Sequence, residues 1–153
     1  QIYQNDMFTG LVKKNFVVTP TVMVRKYVFH YVGIFNEKYR IGEDYDLWLR
    51  IAKQFKMKFI PKSLVIKKRH NVNITKNYRL YCHDYINLII EYLKGDCLNK
   101  RQKKIFSSHL KNWCYELGYL YYSQGQYADS LSWFKKALLS KNGLKAFFYI
   151  KHT

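Results

Sequence analysis

The spacing of apolar residues changes character near residue 77. Before it, residues 21–24, 57–60 and 64–66 form short apolar stretches rich in β-branched side chains, which predict buried strands. Between them, residues 43–55 repeat apolar side chains at helical spacing and predict an amphipathic helix. Alternation of strand, helix and strand is typical of an α/β layer, so we expect an α/β fold here.

After residue 77 the pattern contains long amphipathic segments and no strand signal. Residues 78–93, 100–122 and 127–139 each repeat apolar positions at helical spacing. This part is therefore predicted to be all-α. We expect a boundary between a domain of residues 1–77 and a helical tail of residues 78–153.

Composition places the chain among folded proteins. It has 48% hydrophobic and 18% aromatic residues, enough for a packed core. No apolar run approaches the roughly 18–20 residues that span a bilayer. The chain begins at Gln1 rather than Met, so we expect an excerpt of a longer protein. Three cysteines without a CxxC pair indicate buried, reduced thiols in a cytosolic protein.

The net charge of +17 is the strongest compositional bias. Such charge favours anionic partners, including nucleic acid. The lysines are spread through every segment, however, and no nucleic-acid-binding motif accompanies them. We therefore expect no nucleic-acid partner. Membrane headgroups or sugar nucleotides are the anionic partners that we expect instead.

The predicted helix at residues 43–55 begins with three carboxylates, Glu43, Asp44 and Asp46. A structural interpretation is sufficient for this pattern, because acidic side chains complement the positive end of the helix dipole. A functional interpretation also fits, since a carboxylate at a helix start can act as a general base. Of the nearby residues, Arg50 is expected to pair with Asp46, and Trp48 to pack in the core rather than against a sugar.

Several short strings follow one another in a distinctive order along residues 8–75. They are residues 15–17, 21–25, 32–37, 43–50 and 60–65, followed by His70 and residues 73–75. In order and spacing this region resembles the acceptor-side half of family-two glycosyltransferases of the GT-A fold. The resemblance implies half of an α/β domain, with the donor-binding half absent.

By position, the resemblance implies roles for particular residues. Asp44 would be the catalytic base that takes the proton of the acceptor hydroxyl, and Glu43 its acidic neighbour. Gly33 would lie in the loop beside the donor. Lys68 and Arg69 would contact donor or acceptor, although Lys68 stands where the family commonly has arginine. His70 would contact the metal or the diphosphate.

The resemblance also implies a cofactor. A divalent metal, Mg²⁺ or Mn²⁺, is expected in the full-length enzyme, where a DxD motif would hold it against the donor diphosphate. No DxD motif precedes Glu43, and the Asp44–Tyr45–Asp46 string occupies the position of the base. We therefore expect residues 1–153 alone to be inactive.

Residues 114–142 resemble one tetratricopeptide repeat. The matching residues are Leu117, Gly118, Tyr121, Gly125, Tyr127, Phe134 and Ala137, with Ser130 at a position where alanine is usual. Small residues at such positions let two antiparallel helices approach closely. The hairpin would be either the first repeat of a protein-binding array or a cap on the catalytic domain, and both alternatives stay open.

The resemblance implies an inverting glycosyltransferase of bacterial surface-polysaccharide biosynthesis. Its partners would be a nucleotide-sugar donor and a glycan or lipid-linked acceptor. The enzyme would be cytoplasmic, with peripheral association at the inner face of the membrane as an option. The alternative function is a helical-repeat protein-interaction module on a non-catalytic α/β scaffold.

Overall fold

The computed structural model describes residues 6–66 and 77–138. All regular secondary structure in these two stretches is helical. Contacts within the chain divide it into a first unit, residues 1–76, and a second unit, residues 77–153. The helices are α1 (Met7–Lys13), α2 (Val28–Val32), α3 (Glu43–Gln54), α4 (Tyr78–Lys94), α5 (Lys100–Ser123) and α6 (Tyr127–Ala137), with a 3₁₀ turn at Thr19–Thr21.

Asp6 caps helix α1, and its side chain accepts a hydrogen bond from the Thr9 backbone N–H at 2.9 Å. This bond satisfies an N–H group that a helix start leaves without an intrahelical partner. Hydrogen bonding from Thr9 also lowers the pKa of the Asp6 carboxyl. At the other end of the helix Leu11 and Val12 are fully buried, and α1 packs against α3.

Helix α3 confirms the helix predicted over residues 43–55. Its apolar stripe is buried, with Leu47 and Leu49 fully inaccessible to solvent. Trp48 is 3% exposed and meets the Phe35 ring edge-on at 6.5 Å between centroids, so the core position predicted for Trp48 is also confirmed. The first unit is therefore organised around α3, which packs against both α1 and α2.

The α/β fold class predicted for residues 1–77 is wrong, because the described part of the chain contains no strand. Residues 21–24 begin in the 3₁₀ turn at Thr19–Thr21 and continue as a segment that pairs with no other strand in the described part. Residues 57–60 and 64–66 are likewise irregular. β-Branched composition indicates fit to a pleated surface rather than an intrinsic backbone preference. A strand forms only where a second segment completes the hydrogen bonds.

In the second unit, the three helices predicted after residue 77 are present. Asn77 caps α4 by accepting a hydrogen bond from the Leu80 backbone N–H at 3.1 Å. Asn99 and Gln102 form a capping box at the start of α5, with two reciprocal hydrogen bonds of 2.9 Å. These caps explain why the helices begin where they do.

Helices α5 and α6 pack closely against each other in the second unit. Gly118 on α5 faces the Phe134 ring on α6, and a Cβ atom placed on Gly118 would lie 2.7 Å from that ring. Ser130 and Phe134 are both fully buried. Glycine therefore permits an approach that any side chain would obstruct. The core cluster around this contact comprises Cys82, Ile86, Cys114, Leu117, Phe134 and Ala137.

The cysteine thiols in the described part are free. Burial raises the pKa of the Cys82 thiol to about 12 and that of the Cys114 thiol to about 11. Both thiols therefore stay protonated near neutral pH and serve as apolar packing groups.

Replacing Gly118 with alanine tests this packing. We expect Gly118→Ala to lower the free energy of unfolding by about 1–3 kcal/mol, because overpacking at Phe134 outweighs the better helix propensity of alanine. Gly95→Ala is the matched control, since its Cβ would meet only ordinary contacts at 3.7 Å or more. Urea unfolding followed by circular dichroism measures both variants. A Gly118→Ala protein as stable as the parent would show that the helices are not in close contact.

Candidate functional site

The acidic start of α3 is the candidate site, and its backbone is set by Gly42. This residue precedes the helix with φ of 95°, in the left-handed region that favours glycine. Glu43, the first helical residue, and Asp44 are both half-buried, whereas Asp46 is buried. The three carboxylates therefore occupy different environments despite their proximity in sequence.

Asp44 accepts two hydrogen bonds through different oxygens. The Thr19 hydroxyl donates to Oδ2 at 2.5 Å, and the Tyr45 backbone N–H donates to Oδ1 at 2.6 Å. Thr19 belongs to the 3₁₀ turn, so this contact joins the turn to the start of α3. An aliphatic hydroxyl is thus hydrogen-bonded to a half-buried carboxylate at a helix N-terminus.

The phenol of Tyr45 holds the same end of α3 against α1. Its hydroxyl donates to the Leu11 carbonyl at 2.7 Å. Burial raises the pKa of Tyr45 well above its ordinary value, so the phenol remains a hydrogen-bond donor over the physiological range. The orientation of Asp44 is thus supported by the residue that follows it.

Asp46 has a different role from its acidic neighbours. Its Oδ2 accepts hydrogen bonds from Arg50 Nε at 2.9 Å and Arg50 Nη2 at 2.8 Å, which confirms the predicted pair. The same guanidinium donates to the carbonyls of Val32 and Ile34, the second at 2.8 Å. Arg50 therefore ties the loop on either side of Gly33 to α3.

Gly33 ends α2 with φ of 75° and ψ of −173°. This conformation is essentially restricted to glycine. A Cβ atom at Gly33 would lie 3.6 Å from Arg50 Nη1, which is an ordinary contact, so the restriction comes from the backbone. The backbone conformation therefore explains why glycine stands at position 33, beside α3. Its predicted donor-binding role stays a prediction.

The remaining predicted site residues, Lys68, Arg69 and His70, lie outside the described residues. Within residues 6–66 and 77–138, no three His, Cys, Asp or Glu side chains are grouped closely enough to hold a metal ion. Asp44 and Asp46 face separate partners rather than one point. The predicted divalent metal is therefore not provided for by the described carboxylates, and it stays a prediction.

Two partners of the site were not predicted from the sequence. Thr19 lies 25 residues before Asp44, and the Val32 carbonyl lies 18 residues before Arg50. No periodicity connects residues at such separations. The acidic helix start was predicted from the sequence, but only the fold brings Thr19 to it.

Comparisons of the chain with known protein families, curated proteins and solved structures find no match. Together with the absence of strands from the described part, this result overturns the resemblance to a GT-A glycosyltransferase half with a tetratricopeptide-like repeat. The helical hairpin itself is present as α5 and α6. Its use as a protein-interaction module stays a prediction.

In the described part of the chain, no helix is both long enough and apolar enough to cross a bilayer.

Gly33→Ala tests the constraint on the loop beside the site. We expect it to lower the free energy of unfolding by about 1–3 kcal/mol, because alanine must adopt a backbone conformation essentially reserved for glycine. Ile34→Ala is the control, since Ile34 is exposed and contributes its backbone carbonyl to Arg50. Urea denaturation measures both. Equal stability of Gly33→Ala and the parent would refute the constraint.

Proposed function

We propose that this chain contributes the acceptor-activating part of an enzyme that transfers a sugar from a nucleotide donor to a hydroxyl group, with Asp44 as general base. The acceptor would be a glycan or a lipid-linked saccharide. The observation that carries the proposal is the Thr19 hydroxyl on Asp44 Oδ2 at 2.5 Å. A base for glycosyl transfer must lie within hydrogen-bond distance of the hydroxyl whose proton it accepts.

In the proposed reaction the acceptor hydroxyl takes the place of Thr19 on Oδ2. The proton moves to Asp44 as the hydroxyl oxygen attacks the anomeric carbon, and the bond from that carbon to the nucleoside diphosphate breaks. The positive end of the α3 dipole favours the carboxylate before the transfer. Glu43, half-buried at the first position of α3, would contact the acceptor.

The donor would be bound elsewhere, because the described part offers no group of metal ligands beside Asp44. Lys68, Arg69 and His70 remain the proposed contacts to donor or acceptor. A divalent metal in the complete enzyme would neutralise the diphosphate leaving group. We place the reaction in the cytoplasm, where the positive charge of the chain favours contact with an anionic membrane face.

The variant Asp44→Asn tests the base. In the complete gene product we expect it to lower kcat for sugar transfer by about a hundredfold or more, because a general base contributes about 10²–10⁴ in rate. The measurement is mass-spectrometric detection of transfer from a panel of UDP and GDP sugars to glycan and lipid-linked acceptors, with Mg²⁺ or Mn²⁺ present.

Thr19→Val is the matched control, since it removes the other half of the same hydrogen bond. We expect this variant to retain transfer, because the acceptor supplies its own hydroxyl. If the hydrogen bond served only to fasten the turn to α3, both variants would reduce stability and activity in parallel. Full turnover by Asp44→Asn, or no transfer by the parent protein from any donor, would contradict the proposal.

A further inference from the structure

A cavity of about 1100 Å³ opens within the first unit. It is bounded by α1 and the chain that follows it, by residues 21–25, 27 and 28, and by residues 55–65. Trp48 and Ile51 of α3 complete the lining. The cavity is large enough for a ligand of lipid or cofactor size.

The charge of this lining is one-sided. None of the five acidic residues in the described part of the first unit lines the cavity, whereas six of the basic residues do. A lining that contains cations and no carboxylate favours an anionic ligand. The six cations are Lys13, Lys14, Arg25, Lys56, Lys58 and Lys62.

The rest of the lining is predominantly apolar. The hydroxyls of Thr21 and Ser63 are its uncharged polar side chains, apart from the phenol of Tyr27 and the indole of Trp48. Several apolar side chains are far more exposed than is usual, including Met23 at 98% and Leu64 at 71%. Contiguous exposed apolar surface of this kind marks a binding surface.

Cations and apolar walls together require a ligand with two parts. A free phosphate would leave the apolar walls uncovered, and a neutral hydrocarbon would leave the cations unused. A nucleotide base would leave most of the apolar walls uncovered, since only Thr21, Ser63, Tyr27 and Trp48 supply uncharged polar groups. We infer that this cavity binds a single-chain lipid phosphate, with its hydrocarbon chain on the apolar walls and its phosphate among the lysines.

This site is separate from the catalytic proposal, because neither Asp44 nor Glu43 lines the cavity. A lipid-linked acceptor has the same chemistry, and only that identification of the ligand rests on the proposed function. Trp48 lies one helical turn after Asp44 and lines the cavity, so the two features share α3.

Binding can be measured through the tryptophan in the cavity. The chain has three tryptophans, so Trp113→Phe with Trp133→Phe leaves Trp48 as the reporter. Dodecyl phosphate, titrated below its micellar concentration, is the probe. We expect a saturable change in Trp48 emission, with an affinity at least about tenfold higher than that of octyl phosphate, because the added methylenes are buried.

Two further probes separate the contributions of charge and chain. Inorganic phosphate alone should bind much more weakly than dodecyl phosphate, and dodecyltrimethylammonium should not compete with it. The double variant Lys56→Gln, Lys58→Gln should weaken binding of dodecyl phosphate about tenfold or more. Lys26→Gln with Lys53→Gln is the matched control, because both of these lysines are exposed and neither lines the cavity.

Asp44→Asn should leave this binding unchanged, which distinguishes a failure of the lipid site from a failure of the transfer proposal. Equal affinity for dodecyl phosphate in the two double-lysine variants would overturn the inference, because the cavity cations would then have no specific role. Equal affinity for inorganic and dodecyl phosphate would show a simple anion patch. Absence of saturable binding would leave the apolar walls to a protein partner and would also overturn it.

Discussion

The candidate site depends most on the contacts that the Arg50 guanidinium makes. It pairs with the buried carboxylate of Asp46 one turn earlier on α3 and donates to the carbonyls of Val32 and Ile34. A buried carboxylate without a partner is costly, so Arg50 stabilises Asp46 and also joins α3 to the end of α2 and to the loop that follows it. Gly33 lies between the two carbonyls that Arg50 contacts, and only glycine readily adopts its backbone conformation.

This arrangement separates the three acidic residues by task. Asp46 pairs with Arg50, and Tyr45 holds the helix against α1. Asp44 faces the 3₁₀ turn and accepts a hydrogen bond from the Thr19 hydroxyl. The hydrogen bond from the Thr19 hydroxyl is the contact from which we propose Asp44 as a general base. The basic, apolar cavity along the same helix adds a place for an amphiphilic ligand, and its charge is opposite to that of the acidic turn.

Helices were predictable here because their signal is local. The stripe of α3 and the caps of α4 and α5 lie within a few residues of the structure they determine. The strands failed for the opposite reason. Residues 21–24 and 57–60 have suitable side chains, but a strand requires a partner elsewhere in the chain, and the described part supplies none. A family resemblance built on the order of such segments failed with them.

The site was predictable to the same extent. The acidic turn and the Asp46–Arg50 pair follow from helical spacing, whereas the contacts of Thr19 with Asp44 and of Arg50 with the Val32 carbonyl depend on tertiary structure. The most direct measurement of the organising contact is a double-mutant cycle with Asp46→Asn and Arg50→Met in urea unfolding. A coupling free energy of about 1 kcal/mol or more is expected for this partly buried, hydrogen-bonded pair. A coupling near zero, as for an exposed surface ion pair, would contradict the account.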